Sequence, residues 1–138
     1  MATRSYIFVK EGKSYKGIYC HSSGYPSVVG RILLKNYNSD DLVNRLIDLG
    51  NIGSLCESLE LTKLCLTDGD AIIRNKLNDL MNLVMIQYVY LWQDNMWYYR
   101  TAGTFKPLTP SDCEENDITS YLHQRSINLY KNDHSYEY

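Results

Sequence analysis

Apolar and polar positions alternate with a period of two near the start of the chain, and from residue 26 the spacing lengthens to that of a helix. "SYIFVK" (5–10) and "YKGIYCH" (15–21) are β-branched and aromatic runs separated by "EGKS". They predict an N-terminal hairpin with a short, glycine-containing turn. "SSGYP" then breaks the second strand. Pro26 suits the first turn of a helix, where its missing N–H leaves no bond unmade, and Val28, Val29, Ile32, Leu33 and Tyr37 follow at helical spacing. A first helix over 26–37 is expected.

Asn38 and Ser39 can cap a second helix, Asp40 and Asp41 complement its positive end, and Gly50 stands where a left-handed C-cap belongs. Leu42, Val43, Leu46, Ile47 and Leu49 give that helix one apolar face. Residues 51–70 have short apolar clusters without a lasting period and read as a loop with about one helical turn. Asp70 can cap a third helix with Ile73, Leu77, Leu80, Met81 and Val84 along one stripe. The period then returns to two: "IQYVYLWQDNMWYYRT" predicts two aromatic strands joined at Asp94 and Asn95, residues that tolerate the positive φ of a tight turn. Pro107 and Pro110 end that unit. Ile118, Tyr121, Leu122 and Leu129 suggest a final helix, and 131–138 a frayed tail. The expectation is an α+β fold in a single domain over 1–138: an antiparallel sheet built from an N-terminal and a C-terminal hairpin, with three to four helices mainly on one face.

Composition narrows the class. At 138 residues with 44% apolar and 22% charged positions, the chain is long enough for a core without staples. Apolar runs such as "LVMIQYVYLW" fall well short of the roughly 20 residues that span a bilayer. The start "MATRSYIFVKEGK" has no leader-like apolar segment, so the expected location is the cytoplasm of a bacterial host. A net charge of −2 argues against duplex DNA as a direct target. Thirteen tyrosines and two tryptophans stand beside only two phenylalanines, a bias toward rings with polar tips that suits wet pockets and interfaces as well as cores.

Candidate chemistry is sparse. Cys20, Cys56, Cys65 and Cys113 have no C-x-x-C pairing and are expected as buried, reduced thiols. Cys20 and His21 are neighbours on a strand and therefore point to opposite faces, a poor nucleophile–base pair. His123 and His134 bring no metal-ligand spacing, so no cofactor or metal is expected. Asp40, Asp41, Glu114, Glu115 and Asp117 stand where helix starts explain them. Gly30 inside a helix costs about 1 kcal/mol against alanine and points to a close approach there; Gly24 can take a backbone angle that other residues resist. In the late hairpin, Tyr88, Tyr90 and Trp92 share one face and Val89 and Leu91 the other, while Trp97 and Tyr99 alternate with Tyr98 and Arg100. If Val89 and Leu91 claim the core, the aromatic face is left for a helix, for a second copy in a homodimer, or for a ligand ring, with Arg4 or Arg100 completing a platform. The candidate binding residues are Arg4, Tyr19, His21, Tyr25, Tyr90, Trp92, Trp97, Tyr99 and Arg100.

Thr3-Arg4-Ser5, then Tyr19-Cys20-His21 and Gly24-Tyr25-Pro26 with Val29-Gly30, then Leu46, Ile47, Leu49, Gly50, Ser54 and Leu55 resemble a family of small bacteriophage, prophage and mobile-element proteins. Its members read T-R-S, Y-C-H-W-D-G-Y-P-x-x-V-G and L-I-x-L-G in that order, and many close on an aromatic hairpin similar to "YLWQDNMWYY". Ser22 and Ser23 replace the tryptophan and aspartate of that pattern, and 56–84 departs from it. The resemblance implies a phage setting and action on host processes by binding. The expected role is a non-catalytic inhibitor of a bacterial defence system, such as a CRISPR effector (an anti-CRISPR) or a nucleotide-signalling immune pathway. Two other classes stay open: a sponge that sequesters a nucleotide signal through stacked rings and arginine, and a small enzyme using His21.

Overall fold

The computed structural model describes residues 3–101 and 103–114. Six strands, Ser5–Glu11 (β1), Ser14–Cys20 (β2), Ile72–Arg74 (β3), Tyr88–Gln93 (β4), Met96–Arg100 (β5) and Lys106–Pro107 (β6), form one sheet in the order β3-β2-β1-β4-β5-β6. The expected N-terminal hairpin is β1 (Ser5–Glu11) and β2 (Ser14–Cys20), whose partners Glu11 and Ser14 flank a two-residue turn with Gly12 at φ +60°. The C-terminal hairpin is β4 (Tyr88–Gln93) and β5 (Met96–Arg100). Asp94 (φ 52°) and Asn95 (φ 61°) both adopt the left-handed conformation that a tight two-residue hairpin turn demands. Lys106–Pro107 (β6) extends this edge.

The α+β class expected from the sequence is the class observed, with one difference in the sheet. Each hairpin is antiparallel, but β1 pairs with β4 in parallel, from Ser5 opposite Tyr88 to Val9 opposite Trp92, so the sheet is mixed. Parallel neighbours need a crossover, and residues 21–87, which hold the helices, supply it.

Within that crossover, a π-helical turn (Pro26–Gly30) runs directly into α1 (Arg31–Asn36), as the first apolar stripe predicts. α2 (Asp40–Asp48) starts where Ser39 Oγ accepts the Leu42 N–H at 3.3 Å and ends before Gly50 at φ +84°. A one-turn α3 (Leu59–Thr62) and a 3₁₀ turn (Lys63–Cys65) follow. The expected third helix is corrected. Residues Ile72–Arg74 form the edge strand β3 against Tyr15–Gly17, and α4 is confined to Leu77–Met81. The two β-branched isoleucines favour extended backbone, and of the proposed stripe only Leu80 is buried; Ile73 and Val84 are exposed. The final helix and the tail lie outside the described residues, as do Glu115 and Asp117.

Both faces of the sheet are covered, unequally. On one, Ile7, Val9, Ile18 and Cys20 meet Tyr90, Trp92, Trp97 and Tyr99 beneath α1 and α2. Gly30 packs against the 3₁₀ turn Pro110–Cys113 and its approach, where an added Cβ would stand 3.1 Å from Cys113 Sγ and 3.4 Å from Leu108. The close approach anticipated for that glycine is therefore internal. On the other face a smaller cluster, Phe8, Tyr15, Val89 and Leu91, is covered mainly by Leu80 of α4. Burying each large apolar side chain contributes about 2 kcal/mol, so the helix-covered side holds most of the cohesion.

Candidate binding face

The corner after β2 shows how this sequence builds its most distinctive surface. Residues 51–53 run alongside the end of β2: Ile52 N–H donates to Tyr19 O at 2.9 Å, His21 N–H to Ile52 O at 3.1 Å, and Ser22 N–H to Gly53 O at 2.9 Å. Asn51 Oδ1 accepts the Tyr19 N–H at 2.9 Å. Ser23 then takes φ +58° and Gly24 tucks under the start of β1, its N–H donating to Thr3 O at 2.8 Å. A Cβ on Gly24 would lie 2.8 Å from Ser5 Cβ and 2.9 Å from Thr3 O, so only glycine fits without displacing backbone. The Tyr25 carbonyl accepts from Val28 and Val29, both at 2.9 Å, and opens the helix.

Alternation along β2 separates the chemistry of this corner. Cys20 Sγ points into the helix-side core, fully buried, and burial pushes its thiol up to about 12. Tyr19 and His21, two residues apart, turn to the other face, where the Tyr19 hydroxyl and His21 Nδ1 share a hydrogen bond of 2.9 Å. The hairpin register sets Tyr6 directly opposite Tyr19, with ring centroids 5.6 Å apart. Phe8 stacks on Tyr6 at 5.6 Å, and the His21 ring lies 5.9 Å from that of Tyr19. Four rings thus form a continuous line, buried at Phe8 and half-exposed at Tyr6, Tyr19 and His21.

Cations flank this line. Partial burial raises the Tyr19 phenol, and the Arg4 guanidinium beside it draws it back; at Tyr6 burial likewise raises and Arg74 lowers. Both phenols therefore stay neutral near pH 7 as hydrogen-bond donors. Arg4 is anchored through its backbone: its N–H donates to Gln87 Oε1 at 2.9 Å, and its carbonyl accepts the Gln87 N–H at 3.1 Å. Among the described residues the ion pairs lie elsewhere, Lys16–Asp48 at 3.1 Å and Arg45–Asp41 at 3.2 Å. Among the described residues neither Arg4 nor Arg74 has a carboxylate partner, and Arg74 Nη1 donates to Ile73 O at 2.9 Å.

The structure sorts the nine sequence candidates into two groups. Arg4, Tyr19 and His21 come together on the half-open face. Tyr90, Trp92, Trp97 and Tyr99 do not belong to a contact surface: all are 5% exposed or less, beneath the helices. Their polar tips are used internally. Tyr90 hydroxyl donates to Gly24 O at 2.7 Å, Trp92 Nε1 to Asp40 Oδ1 at 2.7 Å and Trp97 Nε1 to Tyr37 O at 2.8 Å. Tyr99 stacks on Tyr90 beneath Lys106. The expectation of an open aromatic platform fails because α1 and α2 cover that face while Val89 and Leu91 are covered as well. Tyr25 is half-buried beside Tyr88 at the border of the same core. Arg100 ends the row Tyr19, Tyr6, Val89, Arg100 across four strands, but it is buried, donating Nη2 to Leu80 O at 3.5 Å with Nε unpartnered. It tethers α4 and is not open to a ligand.

Tyr6 and Arg74 were missed. Tyr6 was legible, since a two-residue turn at Gly12 and Lys13 pairs it with Tyr19; Arg74 was not, because its segment carries the spacing of a helix. Elsewhere, a shallow cleft of about 350 Å³ is lined by Asn36, Tyr37, Leu42, Glu57, Leu59 and Glu60. Its two exposed carboxylates and lack of any cation make it the chemical opposite of the Tyr19 face. Among the described residues no group of three or more metal-ligating side chains is gathered, and no helix is long and apolar enough to cross a membrane.

These features define an α+β protein with a six-stranded mixed sheet and one half-open aromatic, basic face. Compared with protein-family models, curated proteins and solved structures, the chain finds no match.

Proposed function

We propose that this chain is a phage or mobile-element accessory protein that inhibits a bacterial defence system by binding, without catalysis, through Arg4, Tyr6, Tyr19 and His21. The observation that carries the reading is the half-buried cluster itself: tyrosines and an arginine are the residue types that dominate binding hot spots, and here they stand on and beside a paired hairpin. The TRS and YCHSSGYPSVVG resemblance supplies the phage setting. A non-catalytic role is supported by the opposed directions of Cys20 and His21 and by the neutral, buried thiol.

The test is phage plating on a host that carries the defence system. Expression of the wild-type chain is expected to restore plaques, and Arg4→Gln with Tyr19→Leu to abolish the restoration. Restoration that survives the double variant would overturn the contact assignment, and no restoration on any of a panel of defence-bearing hosts would overturn the inhibitor reading. A nucleotide released on denaturing the purified chain would instead establish the sponge.

A further inference from the structure

The two faces of the sheet differ in charge as well as cover. On the alternation that carries Arg4, Tyr6 and Phe8, every charged strand position is basic: Arg4 and Lys10 on the first strand and its approach, Arg74 on the edge strand, with His21 beside them. Glu11 falls on the opposite alternation, and Asp94 sits in a turn. A chain with net charge −2 has therefore placed, among the described strand residues, a basic strip without acids on the same face as its half-buried rings. The covering segment adds Lys76 and Asp79, which offset each other, and the Tyr6 and Tyr19 rings stay half-buried at its margin.

We infer that this face binds a short single strand of nucleic acid. The inference rests on the reading of this face as the binding surface, but not on the target being a defence protein. A sheet surface with rings on neighbouring strands offers bases a stacking platform, and flanking arginines meet the phosphates between them. Tyr6 and Tyr19, opposite each other with ring centroids 5.6 Å apart and planes tilted by 54°, give adjacent seats, the inner side of Tyr6 being taken by Phe8; Arg4 stands at one end of the strip and Arg74 and Lys10 toward the other. A duplex hides its base faces and would use only the charges, so the single strand is the form that engages both features. An acidic peptide would use the arginines and leave the ring line idle.

The probe is a fluorescein-labelled eight-nucleotide single strand, as RNA and as DNA, followed by anisotropy at low salt. The wild-type chain is expected to bind the single strand at least about tenfold more tightly than the same sequence as duplex. Tyr6→Leu and Tyr19→Leu, which keep apolar bulk and remove the flat ring, should each weaken it about fivefold. Arg4→Gln should weaken it and flatten the salt dependence by about one phosphate contact. Thermal melts verify that each variant is folded. No anisotropy change, equal affinity for duplex, equal competition by a mononucleotide or by an acidic peptide, or folded variants that bind as the wild type does would each overturn the inference. Failure here with plaque restoration intact refutes the nucleic-acid ligand alone; single-strand binding without plaque restoration refutes the inhibitor reading alone.

Discussion

The two faces of the sheet use the same residue type for opposite ends. Under the helices, Tyr90 is fully buried and its hydroxyl is spent on Gly24 O at 2.7 Å, the bond that holds the corner after β2 against the sheet. On the other face, Tyr19 is half-exposed and its hydroxyl meets a histidine that is itself half-exposed. A tyrosine in the covered layer is a cross-brace, with its ring filling the core and its tip satisfying a carbonyl. A tyrosine in the half-open layer leaves part of its ring at the surface, beside a cation. Register and cover decide which role each plays; residue identity does not.

Stability measurements on both layers can break this contrast. Trp97→Ala should cost the most, about 4 kcal/mol by urea denaturation, because it empties a fully packed site and leaves the Tyr37 carbonyl without its donor. A loss below about 1 kcal/mol would mean the helix-covered layer is not the main core. Gly24→Ala should follow at about 2 kcal/mol, since the new methyl meets Ser5 and the Thr3 carbonyl; an unchanged melting temperature would show that the corner can shift freely.

Cys20 gives a pH test of the same layer. Its folded thiol titrates at about 12 against an ordinary value of 9.0, so above pH 9 the unfolded chain has released a proton that the folded chain keeps. Stability from this group is fully present below pH 9 and lost as pH rises, by about 1 kcal/mol between pH 9 and pH 10. Cys20→Ala should remove that part of the slope when the two unfolding profiles are compared, and parallel profiles would place the thiol in contact with water. Smallest of all, Tyr19→Leu should change unfolding free energy by about 0.5 kcal/mol or less, as expected of a site that is only half-buried. A loss comparable to that of Trp97→Ala would erase the distinction between the faces.

Much of the fold was legible because its signals are local. Period-two runs, the Gly12 and Asp94–Asn95 turns, Pro26 at a helix start, the Ser39 cap and Gly50 after α2 each act within a few residues, and each is found where the chain spells it. The expectation failed over 70–84, where Ile73, Leu77 and Val84 mimic a helical stripe but Ile73 lies in an edge strand, Leu77 opens a five-residue helix and Val84 falls beyond it. Their spacing is local, whereas the pairing of Ile72–Arg74 with Tyr15–Gly17 is set by tertiary contact.

For the candidate site, the sequence alone determined which residues share a side of a strand: Arg4 with Tyr6, Tyr19 with His21, and Tyr90 with Trp92, because alternation of side chains is a property of extended backbone itself. It also determined that Cys20 and His21 part company. Only the tertiary structure decided that β1 lies parallel to β4 and that the helices cover the Tyr90 and Trp97 side, leaving Tyr6, Tyr19, Arg4 and Arg74 half-open on the other. Alternation labels two faces without ranking them. The rank comes from where residues 21–87 carry the helices, a balance of burial summed over the whole sheet that no short stretch of the chain contains.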